Sequence, residues 1–228
     1  MLRAIIFDLD NTLVDFLFMK NQAVDAAIAG MKESGLNLSH DKAKKEIFDI
    51  YEKEGYEYQE VLNKFIISVY GQINYKILAA GIVSYRIAKE KSLITYPNVN
   101  NTLIKISKLG LKLGLITDAA SREAWTRLYS VKLHHIFDKV ITHDDTNSYK
   151  PSKVPFTMIL DYFKIQPDEA VMVGDWPERD MKGAKNVGMK TAYAKYGDQG
   201  DNNNPIKTDI ILNDISEIIE YIKKENNL

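Results

Sequence analysis

Cysteine is absent from this chain of 228 residues, and its absence limits the available chemistry. Without cysteine there are neither disulfides nor thiolate metal sites, so any bound metal must take oxygen or histidine ligands. A charge excess is also missing, because 30 basic residues oppose 31 acidic ones and leave a formal net charge of -1. This balance gives no electrostatic reason to expect nucleic acid or an anionic membrane as a partner.

Long apolar segments are lacking as well. No run of about 18 apolar residues occurs without a charge, as a membrane-spanning helix would require. The N-terminus begins directly with a strand-like run and has neither the cationic segment nor the longer apolar stretch of a signal peptide. We therefore expect a cytoplasmic protein with a small-molecule partner. The sequence carries no indication of an oligomeric state.

Short apolar runs that alternate with helical patterns occupy residues 1–14 and everything after about residue 95. Beyond the first run, the strand-like segments are 111–119, 138–145, 169–175, 189–194 and 208–212, and the helical segments are 100–110, 121–130, 154–163, 178–188 and 216–225. This alternation predicts an α/β fold with a Rossmann-like, doubly wound parallel sheet. The turn-rich stretch 196–205 is expected to be a surface loop.

Residues 15–94 have a different pattern. Four amphipathic helical stretches follow one another without a convincing strand, at 19–34, 40–54, 57–71 and 75–92. We therefore predict a catalytic core formed by residues 1–14 and 95–228, and an inserted all-helical cap at 15–94. Because the insert follows the first strand, we expect it to lie over the carboxyl end of that strand, where open parallel sheets bind ligands. Lys20 and Arg86 in this insert are possible substrate contacts, although each is more often a solvated charge on a helix face.

Polar side chains follow four of the predicted strands. In chain order they are Asp8 and Asp10, then Thr117 and Asp118, then Lys150, then Asp175 with Asp180 at the start of the next helix. Each alone is an ordinary turn or cap residue. The carboxyl ends of adjacent parallel strands share one edge of the sheet, so their joint occurrence predicts a single site.

These residues also carry a resemblance. The segments FDLDNT, LITDA, YKPS and VMVGDWPERD together resemble the four motifs of the haloacid dehalogenase superfamily. The resemblance covers almost the whole chain, and the helical insert is similar to the first type of cap in that superfamily. A closer likeness, through segments such as GDWPERDMKGAKNVGMKT, is to archaeal phosphatases of glyceraldehyde 3-phosphate. Trp176 and Pro177 depart from the small or polar residues that are usual there.

The resemblance implies a Mg²⁺-dependent phosphomonoester hydrolase that acts through an aspartyl-phosphate on a small phosphorylated metabolite such as glyceraldehyde 3-phosphate. Asp8 is then the nucleophile and Asp10 the general acid and base. The Mg²⁺ ligands would be the carboxylates of Asp8 and Asp175 with the backbone carbonyl of Asp10. The substrate-binding residues would be Thr117, Asp118 and Lys150, of which Thr117 and Lys150 also act in catalysis, and Asp180 would orient Lys150 or metal-bound water.

Other functions stay open beside this one. A phosphoglycolate phosphatase or a sugar phosphomutase would use the same residues, and a mutase would differ only by excluding water. A 2-haloacid dehalogenase would need the nucleophile Asp8, but it has no use for Mg²⁺ or for Asp10 as an acid and base. A catalytically silent binding module would be expected to have lost Asp8 or Lys150, and both are present.

Overall fold

The computed structural model describes residues 1–198, 200 and 206–228. The chain divides into two compact units, of which one comprises Met1–Asp15 with Ile94–Leu228 and the other Phe16–Leu93. We call them the sheet unit and the helical unit. In the turn-rich stretch predicted at 196–205, residues 199 and 201–205 lie outside the described residues.

The sheet unit contains six strands, and the helices are numbered through both units. The strands are β1 (Ala4–Phe7), β2 (Lys112–Ile116), β3 (Lys139–Ile141), β4 (Ala170–Gly174), β5 (Lys190–Ala194) and β6 (Ile210–Leu212). The helices are α1 (Phe16–Glu33), α2 (His40–Glu54), α3 (Val61–Tyr70), α4 (Tyr75–Ser92), α5 (Val99–Lys108), α6 (Ser121–Ser130), α7 (His143–Thr146), α8 (Lys153–Phe163), α9 (Lys182–Val187) and α10 (Ile218–Asn226). None of the helices in the described part of the chain has the length and apolar character needed to cross a bilayer.

The strands form one parallel sheet in the order β3-β2-β1-β4-β5-β6, which confirms the predicted fold class. Strand β1 is central, and all four of its residues are buried. Both of its faces are covered, because parallel sheets carry helices on each side, and this explains the continuous apolar run. On one face, Ile6 and Met172 of neighbouring strands belong to a core with Phe156 and Ile159 of α8.

The register of the sheet brings the ends of β1, β2 and β4 together. Phe7 pairs with Leu115 on one side and with Val173 on the other. One residue later, the backbone N–H of Asp8 donates to the carbonyl of Val173 at 2.9 Å. The polar residues that follow these strands therefore leave the sheet at the same edge.

Two segments differ from the predicted elements. The strand expected over 138–145 ends at Ile141, because Asp145 accepts 2.7 Å bonds from the backbone N–H and hydroxyl of Thr142 and so begins the short helix α7. The helix expected over 178–188 begins instead with a turn of π-helix, Pro177–Met181, before α9. Such turns are frequent at functional sites.

The helical unit consists of α1–α4 around an apolar core of its own, which includes Ile28, Ile47 and Phe65. The interpretation of Lys20 as a solvated charge is wrong. Its side chain is buried, and its ammonium group lies 4.3 Å from the centre of the Tyr51 ring and 3.0 Å from the Tyr85 hydroxyl. Aromatic faces attract a cation, so they compensate part of the solvation that Lys20 loses on burial.

Candidate active site

A buried lysine lies between two carboxylates at the carboxyl edge of the sheet. The Nζ atom of Lys150 is 2.6 Å from Oδ1 of Asp8 and 2.6 Å from Oδ1 of Asp180. It also lies 3.4 Å from the carbonyl oxygen of Ile116, the last residue of β2. Lys150 precedes α8, Asp8 follows β1 and Asp180 follows β4, so three separate segments meet at this ammonium group.

Asp180 reaches the lysine because the π-helical turn directs its side chain inward. Its second oxygen, Oδ2, accepts a 3.1 Å bond from the backbone N–H of Trp176. Gly174 makes room for this packing, since a Cβ atom there would lie 2.4 Å from the carboxyl carbon of Asp180. Trp176 stands where a small or polar residue is usual, and its ring faces the guanidinium of Arg179 at 3.9 Å. The turn is thus fixed by contacts on both sides.

Asp175 completes a cluster of three buried carboxylates. Carboxylate oxygens of Asp8, Asp175 and Asp180 lie within 4.8 Å of one another. Oδ1 of Asp175 also accepts a 2.9 Å bond from the hydroxyl of Thr12, which is fully buried. This second bond fixes the orientation of Asp175 relative to the loop that follows β1.

The cluster contains three acidic groups and one basic group. Burial raises the pKa of Asp8 to about 8, although the ammonium of Lys150 acts in the opposite direction. Burial and the neighbouring carboxylate of Asp8 also raise the pKa of Asp175 well above its ordinary value. Burial alone would lower the pKa of Lys150, but the carboxylates of Asp180 and Asp8 outweigh it and raise that pKa, so the lysine stays charged.

The donor set fits a hard divalent cation. Three buried carboxylates with one ammonium leave two negative charges uncompensated when all are ionised, and a divalent ion would balance them. Oxygen ligands are those that Mg²⁺ and Ca²⁺ prefer. The buried aspartates can therefore hold a metal ion, whereas the contribution of the Asp10 carbonyl as a ligand stays a prediction.

Thr117 and Asp118 lie directly after β2 and have different surroundings. The backbone N–H of buried Thr117 donates to Ile141, and its hydroxyl oxygen accepts a 3.2 Å bond from the N–H of Ala119. Accepting that bond leaves the hydroxyl hydrogen to be donated. The carboxylate of Asp118 accepts bonds from the backbone N–H of Lys150 at 2.9 Å and from Arg179 at 3.1 Å. Asp118 thus holds the backbone of Lys150 in place. The substrate-binding role of Asp118 stays a prediction.

Asp10 has a partner that the sequence analysis missed. Its Oδ2 accepts a 2.7 Å bond from Nη1 of Arg127, and the side chain of Arg127 is only 2% exposed. Arg127 lies on α6, on the same face as the buried residues Ala124 and Leu128. An arginine at apolar helical spacing is the sequence signal that could have identified it.

Two further contacts support the loop after β1. The hydroxyl of Tyr196 donates a 2.8 Å bond to the carbonyl of Thr12, the residue that binds Asp175. Gly197 follows, and a Cβ there would lie 1.6 Å from the carbonyl oxygen of Asn11, so only glycine permits this approach. These residues lie after β5, far along the chain from the loop, and no local pattern indicated them.

Comparison with known proteins gives consistent results along the chain. The model of the haloacid dehalogenase-like hydrolase family matches residues 5–194. A glyceraldehyde 3-phosphate phosphatase from Pyrococcus furiosus is 31% identical over 227 residues, which is 99% of this chain and 95% of the relative. A protein of the same name from Methanocaldococcus jannaschii is 31% identical over 98% of both chains.

A solved structure is similar over a comparable length. The crystal structure of a haloacid dehalogenase (HAD) phosphatase from Thermococcus onnurineus superimposes with a TM-score of 0.70 at 25% identity, and covers 97% of this chain and 98% of that one. The family match extends from β1 to β5 and so includes every strand end that contributes to the site. The chain is a member of the haloacid dehalogenase-like hydrolase family.

Proposed function

We propose that this protein is a Mg²⁺-dependent phosphomonoester hydrolase with Asp8 as its nucleophile. The observation that carries the proposal is the 2.6 Å contact between Lys150 and Asp8 within a cluster of buried carboxylates. A lysine so placed neutralises the attacking carboxylate and the phosphoryl oxygens that approach it. The names of the relatives, which cover nearly the full chain, support the same activity.

In the first step, a carboxylate oxygen of Asp8 attacks phosphorus. A bond forms between that oxygen and phosphorus, and the bond from phosphorus to the ester oxygen breaks. Asp10 gives its proton to the departing oxygen, so the alcohol leaves neutral and Asp10 becomes an anion. The product on the protein is an aspartyl-phosphate, which divides one difficult displacement into two easier ones.

In the second step, water attacks the aspartyl-phosphate. Asp10 takes a proton from the water while the water oxygen forms a bond to phosphorus. The bond between phosphorus and the Asp8 oxygen breaks. Inorganic phosphate leaves, while the Asp8 carboxylate and the Asp10 acid are restored. No oxidant or second substrate is needed, so the cycle closes with water alone.

The remaining residues bind and orient. Lys150 holds the oxygens of the nucleophile and of the phosphoryl group, and Thr117 donates its hydroxyl hydrogen to the group in transfer. Asp180 binds the same ammonium group as Asp8 and so keeps Lys150 in place. Asp8 and Asp175, with the carbonyl of Asp10, would hold Mg²⁺, which when bound supplies the positive charge that offsets repulsion between carboxylates and phosphate.

We further propose a two- or three-carbon phosphate, with glyceraldehyde 3-phosphate first, as the substrate. The support is the name shared by relatives from two archaeal species at 31% identity. The measurement is kcat/KM for triose, glycolate, hexose and nucleotide monophosphates, because specificity is a ratio of these values. A preference for nucleotides would refute the substrate proposal and leave the assignment of Asp8 intact.

The activity itself is tested with p-nitrophenyl phosphate, in the presence of Mg²⁺ and of EDTA. We expect hydrolysis only with the metal, and none above ~0.1% of the wild-type rate for Asp8→Asn, because an amide is not a nucleophile here. Asp168→Asn is the matched control, since Asp168 is exposed in the same unit. Near wild-type turnover by Asp8→Asn, or full activity in EDTA, would contradict the proposal.

A further inference from the structure

We propose that Arg127 is the positioning residue for Asp10, and that it fixes this carboxyl in the orientation that proton transfer requires. The inference rests on the proposed function, in which Asp10 gives a proton to the leaving group and takes one from water. It adds to that function a residue on α6 that does not itself touch the reacting phosphate.

Arg127 and Asp10 are in direct contact, with the arginine side chain buried and the aspartate side chain 22% exposed. Nη1 of Arg127 lies 2.7 Å from Oδ2 of Asp10, within the range of strong charge-assisted hydrogen bonds. The two residues are 117 positions apart in the sequence, so the contact is created by the fold. Both belong to the sheet unit, where α6 follows β2, the neighbour of β1.

A structural role alone is a poor explanation for an arginine at this place. The side chain is 2% exposed and shares its helix face with Ala124 and Leu128, where an apolar residue would pack without losing hydration. Burial of a guanidinium is unfavourable unless its partners compensate for the lost water. The buried guanidinium of Arg127 therefore needs partner groups, and Asp10 is the partner that belongs to the proposed chemistry.

The chemistry of Asp10 calls for a cation that keeps its own protons. When Asp10 protonates the leaving oxygen, it becomes an anion, and the guanidinium then pairs with the charge formed there. Arginine is not deprotonated in proteins, so it cannot replace Asp10 as the acid. A lysine would supply the same charge as an ammonium group on a flexible stem, so it would position the carboxyl less well.

The test compares two esters that differ in their need for an acid. p-Nitrophenolate leaves without a proton, while the alkoxide of an alkyl phosphate such as glycerol 3-phosphate does not. For Arg127→Met we expect kcat/KM to fall at least ~30-fold with the alkyl ester and less than ~5-fold with the p-nitrophenyl ester. Arg122→Met is the control, because Arg122 lies on the same helix with its side chain 78% exposed, and it should change neither value.

Two more variants keep the inference open to refutation. Arg127→Lys should recover part of the loss with the alkyl ester, and it replaces Arg127→Met if that variant does not fold. Asp10→Asn combined with Arg127→Met should be no slower than Asp10→Asn alone, since both changes act on one group. Equal losses with both esters, or additive losses in the double variant, would overturn the role of Arg127. If the unmodified protein hydrolyses neither ester, the proposed function fails and this inference fails with it.

Discussion

Single residues at this site are intelligible only through their partners. Asp8 is buried with a raised pKa, which in isolation describes an unfavourable carboxyl. Lys150, together with a divalent cation when one is bound, would hold this carboxylate, the proposed nucleophile, close to positive charge. Arg127 places a positive charge beside Asp10, as Lys150 does beside Asp8. The two aspartates of one short motif therefore have separate cations, which suits their separate proposed roles.

Replacement of Asp10 separates those roles by kinetics. For Asp10→Asn we expect kcat/KM to fall at least ~100-fold with an alkyl phosphate and much less with p-nitrophenyl phosphate, because an amide cannot protonate a poor leaving group. Steady-state kinetics with both esters, at saturating Mg²⁺, make the measurement. Similar losses with both would indicate that Asp10 serves the metal or the fold and not proton transfer.

Among the secondary-structure elements, the sequence pattern predicted the bounds of those helices that are set by the spacing of their own apolar residues. The helices at 40–54, 75–92 and 121–130 have the predicted bounds, because their apolar spacing decides where each helix lies. The predicted helix over 178–188 was wrong in its first turn, which is π-helical. There Asp180 accepts a local bond from the N–H of Trp176 and a tertiary bond from Lys150, and the sequence pattern did not indicate the second. That the polar residues after the strands lie at one edge of the sheet could be predicted from their positions at the ends of the strands. The contact of Arg127 with Asp10 could not, because it depends on how α6 packs.

The end of β4 provides a test of this packing. In Gly174→Ala the new methyl group would overlap the carboxyl of Asp180, which lies 2.4 Å from the ideal Cβ position. We expect Asp180 to move, Lys150 to lose one of its two carboxylate partners, and kcat/KM to fall at least ~10-fold. Overpacking of this kind should also lower the free energy of unfolding by ~1–3 kcal/mol.

Gly114→Ala is the matched control for that change. It also inserts a methyl group into the parallel sheet, but against the end of the Ile159 side chain, at 2.5 Å, and not against a residue of the site. We expect it to lower the melting temperature and to leave kcat/KM of the folded protein within about twofold. Equal loss of activity in both variants would mean that the sheet, and not Asp180, carries the effect of Gly174→Ala.

Acidic and basic residues are nearly equal in number over the whole chain, but acidic groups are in excess in the buried cluster at the edge of the sheet. The formal net charge is -1, yet three carboxylates are buried around a single ammonium at one edge of the sheet. The strand order places β1 between β2 and β4, so segments far apart in sequence deliver these groups together. Parallel topology was predictable from the alternating pattern, and with it the site's position, but the excess negative charge emerges only when burial is known.

That excess should make a divalent cation stabilise the whole fold. A ligand that binds only the folded state at 100 times its dissociation constant contributes about 2.7 kcal/mol, which for a chain of this size raises the melting temperature by about 5–10 °C. We expect this shift with Mg²⁺ for the unmodified protein in thermal unfolding. It should be largely lost in Asp175→Asn and retained in Asp168→Asn.

The metal-induced shift should also depend on pH in a definite direction. Burial raises the pKa of Asp8 in the folded chain to about 8, so between about pH 4 and 8 the folded state retains a proton on Asp8 that the unfolded chain has released. Asp175, whose pKa is also raised, acts in the same direction. The stability of the metal-free protein therefore falls as pH rises through this window. Mg²⁺ must displace the same protons, so at a fixed subsaturating concentration its stabilisation should grow from about pH 6 to 8 and then level off. A shift that is independent of pH, or that shrinks as pH rises, would show that these carboxyls are not the ligands.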